Sequence, residues 1–275
     1  KPLKKIMKKI SKKIEEIYHS FIESENQKNV EERYSGKKKY YHISAVGMCS
    51  RRLYFESIDQ VKQTNKPNER SSRIMRLGNL VHEDIQDALS LYSNNTYSNN
   101  TYSNDTYSDD IYSKEKKYLD IKKRKSKLFS IEEEVIVEDL NIRGFYDLVV
   151  HEDGVHLIDF KTIGSWPYKK KFGRSPVMDN SNHHELQVAS YGLGVIKQFG
   201  RLDSMSLCYY NKDNSRLKFH PISMIYLDQA KTYWEEINEE HKRGLPPFRM
   251  GTSPKAEWVC NYCSFADHCG SPYKK

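Results

Sequence analysis

One stretch, residues 144–162, constrains the fold more than any other part of the chain. Two apolar, β-branched arms flank the turn Glu152-Asp153-Gly154, which predicts a β-hairpin. Each arm carries an aspartate where the interior of a strand is usually apolar, Asp147 in the first arm and Asp159 in the second, and Lys161 follows two positions later. Burying these charges costs free energy unless a cation and a reaction require them. The hairpin is therefore a candidate active site.

The register of this hairpin decides whether the two aspartates can meet. A loop of three residues would set Asp147 opposite Asp159, on one face with Lys161. A loop of two residues would turn Asp147 to the other face. We therefore predict the three-residue loop, with Gly154 in the left-handed conformation that such a loop needs. Two carboxylates and a lysine at one point suit a divalent metal beside a scissile phosphate.

The composition narrows the class of protein. The chain has 275 residues, of which 37% are hydrophobic and 30% charged, enough for one large domain or a core with an appended subdomain. The net charge of +8 fits a polyanionic partner, although a generally lysine-rich composition would give the same value. No apolar run approaches the roughly 18 residues of a membrane span, and no secretory signal is evident. We expect a cytoplasmic protein without membrane contact, in which the five cysteines are metal ligands or free thiols.

The first 40 residues differ from the rest of the chain. Residues 3–24 have apolar side chains at helical spacing and lysines between them, which predicts a basic amphipathic helix. Its basic face is expected to be solvated, although contact with DNA is an alternative. Residues 25–40 are polar and are interpreted as a linker. The apolar positions are Leu3, Ile6, Met7, Ile10, Ile14, Ile17 and Phe21.

The remaining pattern predicts a mixed α/β core with one main sheet. Helices are expected at the end of 42–59, at 73–91, at 180–199 and from Asp228, as a cap, to Arg243. Strands are expected at 129–139, 204–211 and 216–223, in addition to the hairpin.

Two segments within this core have unusual composition. Residues 92–113 are a degenerate Tyr-Ser-Asn-Asn-Thr repeat with too few aliphatic residues for a core, so we expect an expanded, mobile surface insertion. Downstream of the hairpin we expect a basic, aromatic loop, which either holds a phosphate backbone or is an ordinary solvated loop. This loop contains Trp166, Tyr168, Lys169, Lys170, Lys171, Phe172 and Arg174.

The C-terminal region carries a metal-ligand pattern, C-x2-C-x5-C, at Cys260, Cys263 and Cys269. Cys49 is the best candidate for a fourth ligand, because Cys208 lies in an apolar strand and is interpreted as a core residue. Alternatively, His268 completes a Cys3His zinc site. Four thiolates suit either structural zinc or an iron–sulfur cluster, and the spacing does not separate the two. A metal here would join residue 49 to the far end of the chain, and its loss would cost folding free energy.

Taken in order, these residues resemble the PD-(D/E)XK nucleases of the RecB type. The resemblance runs from about Ser44 to Cys269, and its six short elements are specific as an ordered set although each is weak alone. It is similar in particular to the iron–sulfur branch, which includes CRISPR-associated RecB-type exonucleases and AddB-type nuclease domains. The matching residues are His82 within Gly78-Asn79-Leu80-Val81-His82-Glu83, Gly144-x-x-Asp147, Asp159-Phe160-Lys161, Gln187-x-x-x-Tyr191, Cys49 and the C-terminal cysteines.

The resemblance implies a role for each of these residues. His82, Asp147 and Asp159 would bind Mn²⁺ or Mg²⁺ together with the Phe160 carbonyl, and the histidine favours Mn²⁺. Lys161 would orient the attacking water and stabilise the developing charge on the phosphate. Gln187 and Tyr191 would position the active site and the DNA strand. Cys49, Cys260, Cys263 and Cys269 would hold a [4Fe–4S] cluster. One departure is that Asp159 stands where many relatives have the longer glutamate.

The resemblance also implies a restriction-endonuclease-like core with a central mixed sheet, flanking helices and a C-terminal iron–sulfur clasp. We expect a nuclease domain at residues 41–269, with the repeat as an insertion, a cysteine cluster at 258–270 closing on Cys49, and a tail at 270–275. The function implied is exonucleolytic hydrolysis of single-stranded DNA or DNA ends.

An alternative is a catalytically weak DNA-end-binding or scaffold subunit of a CRISPR-adaptation or recombination and repair complex. The intact Asp147, Asp159 and Lys161 set argues against a catalytically dead copy. The chain has no G-x-x-x-x-G-K-[ST] phosphate loop and so no helicase motor of its own. It would act alone, as a homo-oligomer, or with partners in CRISPR adaptation or a helicase–nuclease complex.

Overall fold

The computed structural model describes residues 2–34, 40–58, 63, 65, 67–100, 128–174, 182–250, 257–261 and 263–270. Its helices are α1 (Pro2–Tyr34), α2 (Ser50–Ser57), α3 (Glu69–Asn100), α4 (Ser165–Phe172), α5 (His183–Phe199), α6 (Ile225–Lys242) and α7 (Glu257–Asn261). Its strands are β1 (Tyr41–His42), β2 (Phe129–Val137), β3 (Ile142–Val150), β4 (His156–Ile163), β5 (Ser204–Asn211) and β6 (Leu217–Ile222).

The chain divides into two compact units. The sheet unit comprises residues 41–47 and 81–243, and the cysteine unit comprises residues 1–40, 48–80 and 244–275. Among the described residues, no helix is long and apolar enough to span a bilayer.

The sheet unit is built on one mixed sheet of six strands. β3 pairs antiparallel with β2 along one edge; on its other edge it pairs parallel with β1 at its start and antiparallel with β4 at its end. β4 then pairs parallel with β5, and β5 pairs antiparallel with β6. The parallel pair requires a crossover, which α4 and α5 supply. This agrees with the predicted mixed α/β core, a central mixed sheet flanked by helices.

Helix α5 packs closely on the sheet and on α6. A Cβ atom at Gly194 would lie only 2.5 Å from Val135 Cβ, so only glycine permits this approach to β2. The fully buried Trp234 of α6 donates a hydrogen bond to Ser190 Oγ of α5 at 2.8 Å. A second apolar cluster joins Phe129, Leu148, Phe160 and Cys208 with Ile85 and Leu89 of α3. Cys208 is fully buried there, as predicted for a core residue.

Two predicted boundaries are wrong because helices continue further than expected. Helix α1 extends to Tyr34, into the segment interpreted as a linker, and ion pairs such as Lys12–Glu16 at 3.6 Å and Lys28–Glu25 at 2.9 Å support it. Helix α3 continues to Asn100, so residues 92–100 of the repeat are helical rather than expanded. The repeat contains no glycine or proline to end the helix. Residues 101–127, with the rest of the repeat and the basic segment after it, lie outside the described part of the chain.

Two further local predictions are also wrong. The expected basic loop is mostly the helix α4, whose first amide, Ser165 N–H, donates to Asp213 Oδ2 at 2.6 Å. Pro167 lies in the first turn, where proline is tolerated. Asp228 does not cap α6, because that helix begins at Ile225 and the aspartate lies within its first turn. There its carboxylate interacts favourably with the helix dipole.

Candidate active site

The hairpin of β3 and β4 has the predicted register. Leu148 pairs with Ile158, and the same register brings Asp147 level with Asp159 and leaves residues 152–154 as the loop. The predicted left-handed position is wrong by one residue. Asp153, with φ +53°, is the left-handed residue, whereas Gly154 has φ +158°. The glycine is still needed, since a Cβ atom there would lie 2.8 Å from Asp203 Oδ2.

The two strands separate at the level of the aspartates. The described ladder ends at Leu148 and Ile158, so the next amide, that of Phe160, needs another acceptor. Asp147 Oδ2 accepts that hydrogen bond at 2.6 Å. The carboxylate of one strand is therefore fixed against the backbone of the other, between Asp159 and Lys161 in sequence.

Asp147 also lies at the point where β2 and β3 stop packing against α5 and begin to pack against α3. Before it, a Cβ atom at Gly144 would meet Tyr191 of α5. After it, Leu148 packs in the cluster that includes Ile85 of α3. On β2 the residue level with Asp147 is Glu132, which has φ +51° and is absent from the ladder between Ile131 and Glu133. Such a left-handed glutamate within a strand costs on the order of 1–3 kcal/mol and is typical of functional sites.

Asp159 and Lys161 share a face, as their spacing predicts. Lys161 Nζ lies 2.7 Å from Asp159 Oδ2, and Asp159 is only 2% exposed. The contact is an ion pair by distance but does not have hydrogen-bond geometry, so the buried Oδ2 atom accepts no hydrogen bond. Burial raises the pKa of Asp159 to about 6, the Asp147 charge adds to this rise, and Lys161 opposes it.

His82 of α3 lies on the other side of Asp147. Its Nδ1 atom is 3.6 Å from Asp147 Oδ2, and its ring meets that of Phe160 at a centroid distance of 6.0 Å. Burial lowers the pKa of His82, but the hydrogen bond and charge of Asp147, with the charge of Asp159, outweigh it, so the net direction is upward. The structure thus brings His82 to the two aspartates.

Gln187 and Tyr191 of α5 face the same site. Gln187 Nε2 donates to the Tyr191 hydroxyl at 3.3 Å, and both residues are buried. Burial raises the pKa of Tyr191 well above its usual value, and the charges of Asp159 and Asp147 add to this rise. The tyrosine ring requires Gly144, where a Cβ atom would lie 2.7 Å from Tyr191 Cε1. This contact explains why the first position of the Gly-x-x-Asp element is a glycine.

Sequence reasoning missed two members of the site, Gln86 and Glu132. Gln86 Nε2 donates to Glu132 Oε2 at 3.0 Å and to the Asp147 carbonyl at 3.4 Å. The charge of Glu132 also contributes to the raised pKa of Tyr191, which puts its carboxylate near the site. The available signal was the interruption of the apolar strand pattern by three successive glutamates, residues 132–134.

The end of α4 lies on the side of the site where Lys161 is found. Tyr209 is the β5 neighbour of Lys161, and its ring contacts Lys171 Nζ at 5.2 Å from the centroid. Its hydroxyl lies 3.1 Å from His184 Nδ1. Burial lowers the pKa of His184 to about 2, and the charges of Lys161 and Lys171 contribute, so this imidazole is neutral. Lys161 thus contacts Asp159, whereas Lys171 lies against the Tyr209 ring and pairs with Glu185 at 3.4 Å.

The side chains of the site are of the chemical types that bind a divalent cation. In the described ranges, no three His, Cys, Asp or Glu side chains converge closely enough to hold one metal ion as they stand. Two buried carboxylates, one with an oxygen that accepts no hydrogen bond, and an imidazole nitrogen nearby are nevertheless the donors that Mg²⁺ or Mn²⁺ binds. A cation would also offset the repulsion between Asp147 and Asp159.

The cysteine unit contains a separate, partly open cavity. Four cysteines distant in sequence line it: Cys49, Cys260, Cys263 and Cys269. Three arginines line it as well: Arg51, Arg52 and Arg249. His268, the alternative fourth ligand, is exposed, and its ring lies 6.4 Å from that of Phe55.

Backbone amides donate hydrogen bonds to two of the sulfur atoms that line the cavity. Met250 N–H donates to Cys49 Sγ at 3.4 Å, and Phe265 N–H donates to Cys263 Sγ at 3.4 Å. Burial raises the pKa of the Cys263 thiol, and the neighbouring Cys49 and Cys269 add to the rise. Four sulfur donors are of the kind that binds zinc or an iron–sulfur cluster, but no three of the described cysteines converge closely enough to hold one metal ion as they stand.

Comparison with known proteins gives the family of the chain. The profile of the PD-(D/E)XK nuclease superfamily matches residues 40–270. The chain belongs to that superfamily, whose members use divalent metals such as Mg²⁺ or Mn²⁺. The mixed sheet described above is consistent with its restriction-endonuclease-like core. A search of curated proteins gives no significant match.

One solved structure supports the fold, and a second shows a weaker similarity. The crystal structure of SSO0001 is similar with a TM-score of 0.50 and 17% sequence identity, over 94% of this chain and 98% of that one. A protein of Eubacterium rectale that carries the name of an exonuclease is similar with a TM-score of 0.46 and 15% identity, over 82% of this chain and 91% of that one. At these identities the first comparison bears on the fold alone.

Proposed function

We propose that this nuclease is a metal-dependent deoxyribonuclease of the RecB type that degrades single-stranded DNA or DNA ends as an exonuclease. The observation that carries the proposal is the convergence of Asp147, Asp159, Lys161 and His82 where β3 and β4 separate. The basic helix α4 beside Lys161 supports a polyanionic substrate.

Each side chain then has a defined task. Asp147, Asp159 and His82, with the Phe160 carbonyl, would hold Mn²⁺ or Mg²⁺. A bound divalent cation supplies a Lewis acid at the phosphoryl oxygen and makes water more acidic. Lys161 holds the attacking water in position and offsets the negative charge that develops on the phosphate.

Surrounding residues keep these groups in place. Tyr191 and Gln187 form a buried, hydrogen-bonded pair beside the carboxylates, and they position the site and the DNA strand. Gln86 links Glu132 to the backbone of Asp147 and so steadies the point where the strands separate. With a cation held by Asp159, the Lys161 ammonium group, now 2.7 Å from that carboxylate, would be available to the phosphate.

For the cysteine unit we propose a structural [4Fe–4S] cluster held by Cys49, Cys260, Cys263 and Cys269. The shared cavity and the N–H···S hydrogen bonds support this over a site that uses His268. The arginines that line the cavity would offset the net negative charge of a four-thiolate cluster.

The experiment that tests the nuclease is an anaerobic cleavage assay with Mn²⁺ or Mg²⁺ and three substrates: end-labelled linear single-stranded DNA, linear duplex and closed circular single-stranded DNA. The variants are Asp159→Asn and Lys161→Ala, and the matched control is Asp228→Asn, at an exposed aspartate of α6. We expect both site variants to lose at least about 100-fold in rate while retaining their helical circular dichroism. The control should cleave normally.

The outcomes separate the parts of the proposal. Degradation of linear DNA with the circle left intact is expected for an exonuclease, and cutting of the circle would contradict that assignment. Cleavage by Asp159→Asn at the native rate would overturn the catalytic site. Salt-dependent DNA binding without turnover by the native protein, with either metal, would favour a scaffold instead.

A further inference from the structure

The N-terminal helix α1 carries a repeat that the nuclease function does not use. Residues 3, 7, 10, 14, 17 and 21 are all apolar and are spaced alternately four and three residues apart. This spacing is the heptad pattern of a coiled-coil seam, sustained over three heptads. An average of 3.5 residues keeps the seam facing one partner helix, and the exposed Ile6 and Tyr18 lie beside it.

The structure leaves this seam open to solvent. We define the α1 seam as the five residues of the repeat with described side chains: Met7, Ile10, Ile14, Ile17 and Phe21. They are 56%, 46%, 62%, 61% and 48% exposed, respectively. Another face of the helix carries Ile22, which is only 1% exposed. Five large apolar side chains in an exposed row are more than scattered surface residues and mark an interaction site.

Charge along α1 indicates which partner fits the seam. Residues 4–13 contain six lysines and no acidic residue, and residues 15–25 contain four glutamates and no lysine or arginine. In a parallel pair of such helices, the lysine-rich halves would lie side by side and repel each other. In an antiparallel pair, each lysine-rich half lies along the glutamate-rich half of its partner. The helix is thus complementary to a second copy of itself in reversed direction.

We propose that two copies of this chain associate through their α1 helices as an antiparallel coiled coil. In antiparallel coiled coils, the a position of one helix packs against the d position of its partner. When two antiparallel helices are aligned at the midpoints of their repeats, Met7 lies opposite the partner's Ile17 and Ile10 lies opposite the partner's Ile14. Leu3 and the partner's Phe21 would complete the ends in sequence. All six positions of the repeat are used, over a length of about 27 Å.

The first test measures the mass of the full chain in solution by light scattering and sedimentation. We expect twice the chain mass of 32.4 kDa. Ile14→Lys puts two lysines into the central layers of the dimer and should raise its dissociation constant at least about 100-fold. The matched control is Ile225→Lys, at an isoleucine of α6 that is 60% exposed, and it should remain dimeric. Circular dichroism shows whether each variant is folded.

The second test fixes the direction of the helices. Met7→Cys and Ile17→Cys are made separately, mixed in equal amounts and oxidised, with the unmodified chain showing the background from native cysteines. The antiparallel pair predicts disulfides between positions 7 and 17. Equal positions would be about 15 Å apart along the axis and should not join. Disulfides between equal positions would show a parallel pair and overturn the proposed arrangement.

Two further results would overturn the association itself. One is a monomer at concentrations up to about 50 μM. The other is a dimer whose affinity is the same in Ile14→Lys. A monomer that sediments with anionic phospholipid vesicles, and does so less in Ile14→Lys, would assign the seam to a membrane surface rather than to a second copy. None of these results depends on DNA cleavage, so the proposal stands or falls separately from the nuclease assignment.

Discussion

Burying the charged form of Asp159 costs free energy, and a bound cation would offset that cost. Its folded pKa of about 6 lies above its ordinary value of 3.8, so the folded state holds the proton more tightly than the unfolded state. The stabilising contribution of this group is therefore complete below pH 3.8 and is lost as the pH rises through about 6. A neutral asparagine has no such dependence.

We expect Asp159→Asn to change the pH dependence of folding in the presence of a chelator. Between pH 4 and pH 8, its free energy of unfolding should shift relative to the native protein, in favour of the variant, by on the order of 2 kcal/mol. Denaturant unfolding at several pH values measures this shift. The exposed Asp203 is the control. Because Arg201 lowers the pKa of this carboxyl group, its contribution to stability is lost as the pH falls, not as the pH rises. A difference that does not vary with pH would contradict the prediction.

Gly144 is required by the aromatic side chain that covers the site. We expect Gly144→Ala to destabilise the protein by about 1–3 kcal/mol and to slow cleavage, because its methyl group would overlap Tyr191 Cε1 at 2.7 Å and press on Ile43 at 3.1 Å. Gly164→Ala is the matched control, since the nearest atom to its Cβ is 3.7 Å away. Equal unfolding midpoints for the two variants would show that Tyr191 moves aside without cost.

Among individual site residues, those that can be predicted from sequence are charged residues at positions where a strand is usually apolar. Asp147, Asp159 and Lys161 are conspicuous because charges interrupt apolar strands, and the loop length then fixes their register. Glu132 has a weaker signature, since it is one of three successive glutamates in a half-exposed strand and nothing in the pattern singles it out. Its role depends on a left-handed backbone and on Gln86, and neither follows from local pattern.

The elements that surround the site differ in how far their sequences determine them. β5 matches its prediction because its apolar run pairs on both sides, and α5 matches because apolar periodicity and Gly200 mark its length and end. Helix α4 was missed because its eight residues show lysines and aromatic rings but no apolar stripe. What fixes its start is Asp213, which lies 48 residues away in sequence.

Helix α4 is the element best placed to hold a DNA strand. Trp166 is 69% exposed, and Lys170 Nζ lies 3.7 Å from the centre of its ring. An unpaired base can stack on an indole, and lysines can neutralise phosphates. We expect Trp166→Ala, made in the inactive Asp159→Asn protein, to weaken binding to single-stranded DNA about 5- to 100-fold, as measured by fluorescence anisotropy.

Lys170→Ala should weaken the same binding and reduce its salt slope by about 0.7. Lys242→Ala is the control, since this exposed lysine pairs with Glu239 near the end of α6. Duplex DNA should be affected less by Trp166→Ala than single strands are, because its bases are already stacked. Equal loss on both substrates would assign α4 to phosphate contacts alone.

At the scale of the whole molecule, the cysteine cavity joins parts of the chain that are far apart in sequence. Cys49 precedes α2, whereas the other three cysteines lie more than 200 residues later. The C-x2-C-x5-C spacing predicts a metal centre from sequence, but the choice of Cys49 over His268 depends on where the chain brings residue 49. The short helix α2 and tight turns lie in the cysteine unit around the cavity, and a bound cluster would add to the local stability.

Removing one ligand should therefore affect the entire cysteine unit. We expect Cys49→Ser, purified without oxygen, to lose iron and the broad absorption near about 400 nm that the native protein should show, and to unfold at a lower temperature. Cys208→Ala is the control, because that thiol lies in the core of the sheet unit and should not affect iron content. Metal analysis that finds one zinc and no iron per native chain would contradict the [4Fe–4S] assignment. Full iron retention in Cys49→Ser would instead exclude residue 49 as a ligand, since a cluster that keeps its iron does not need that thiolate.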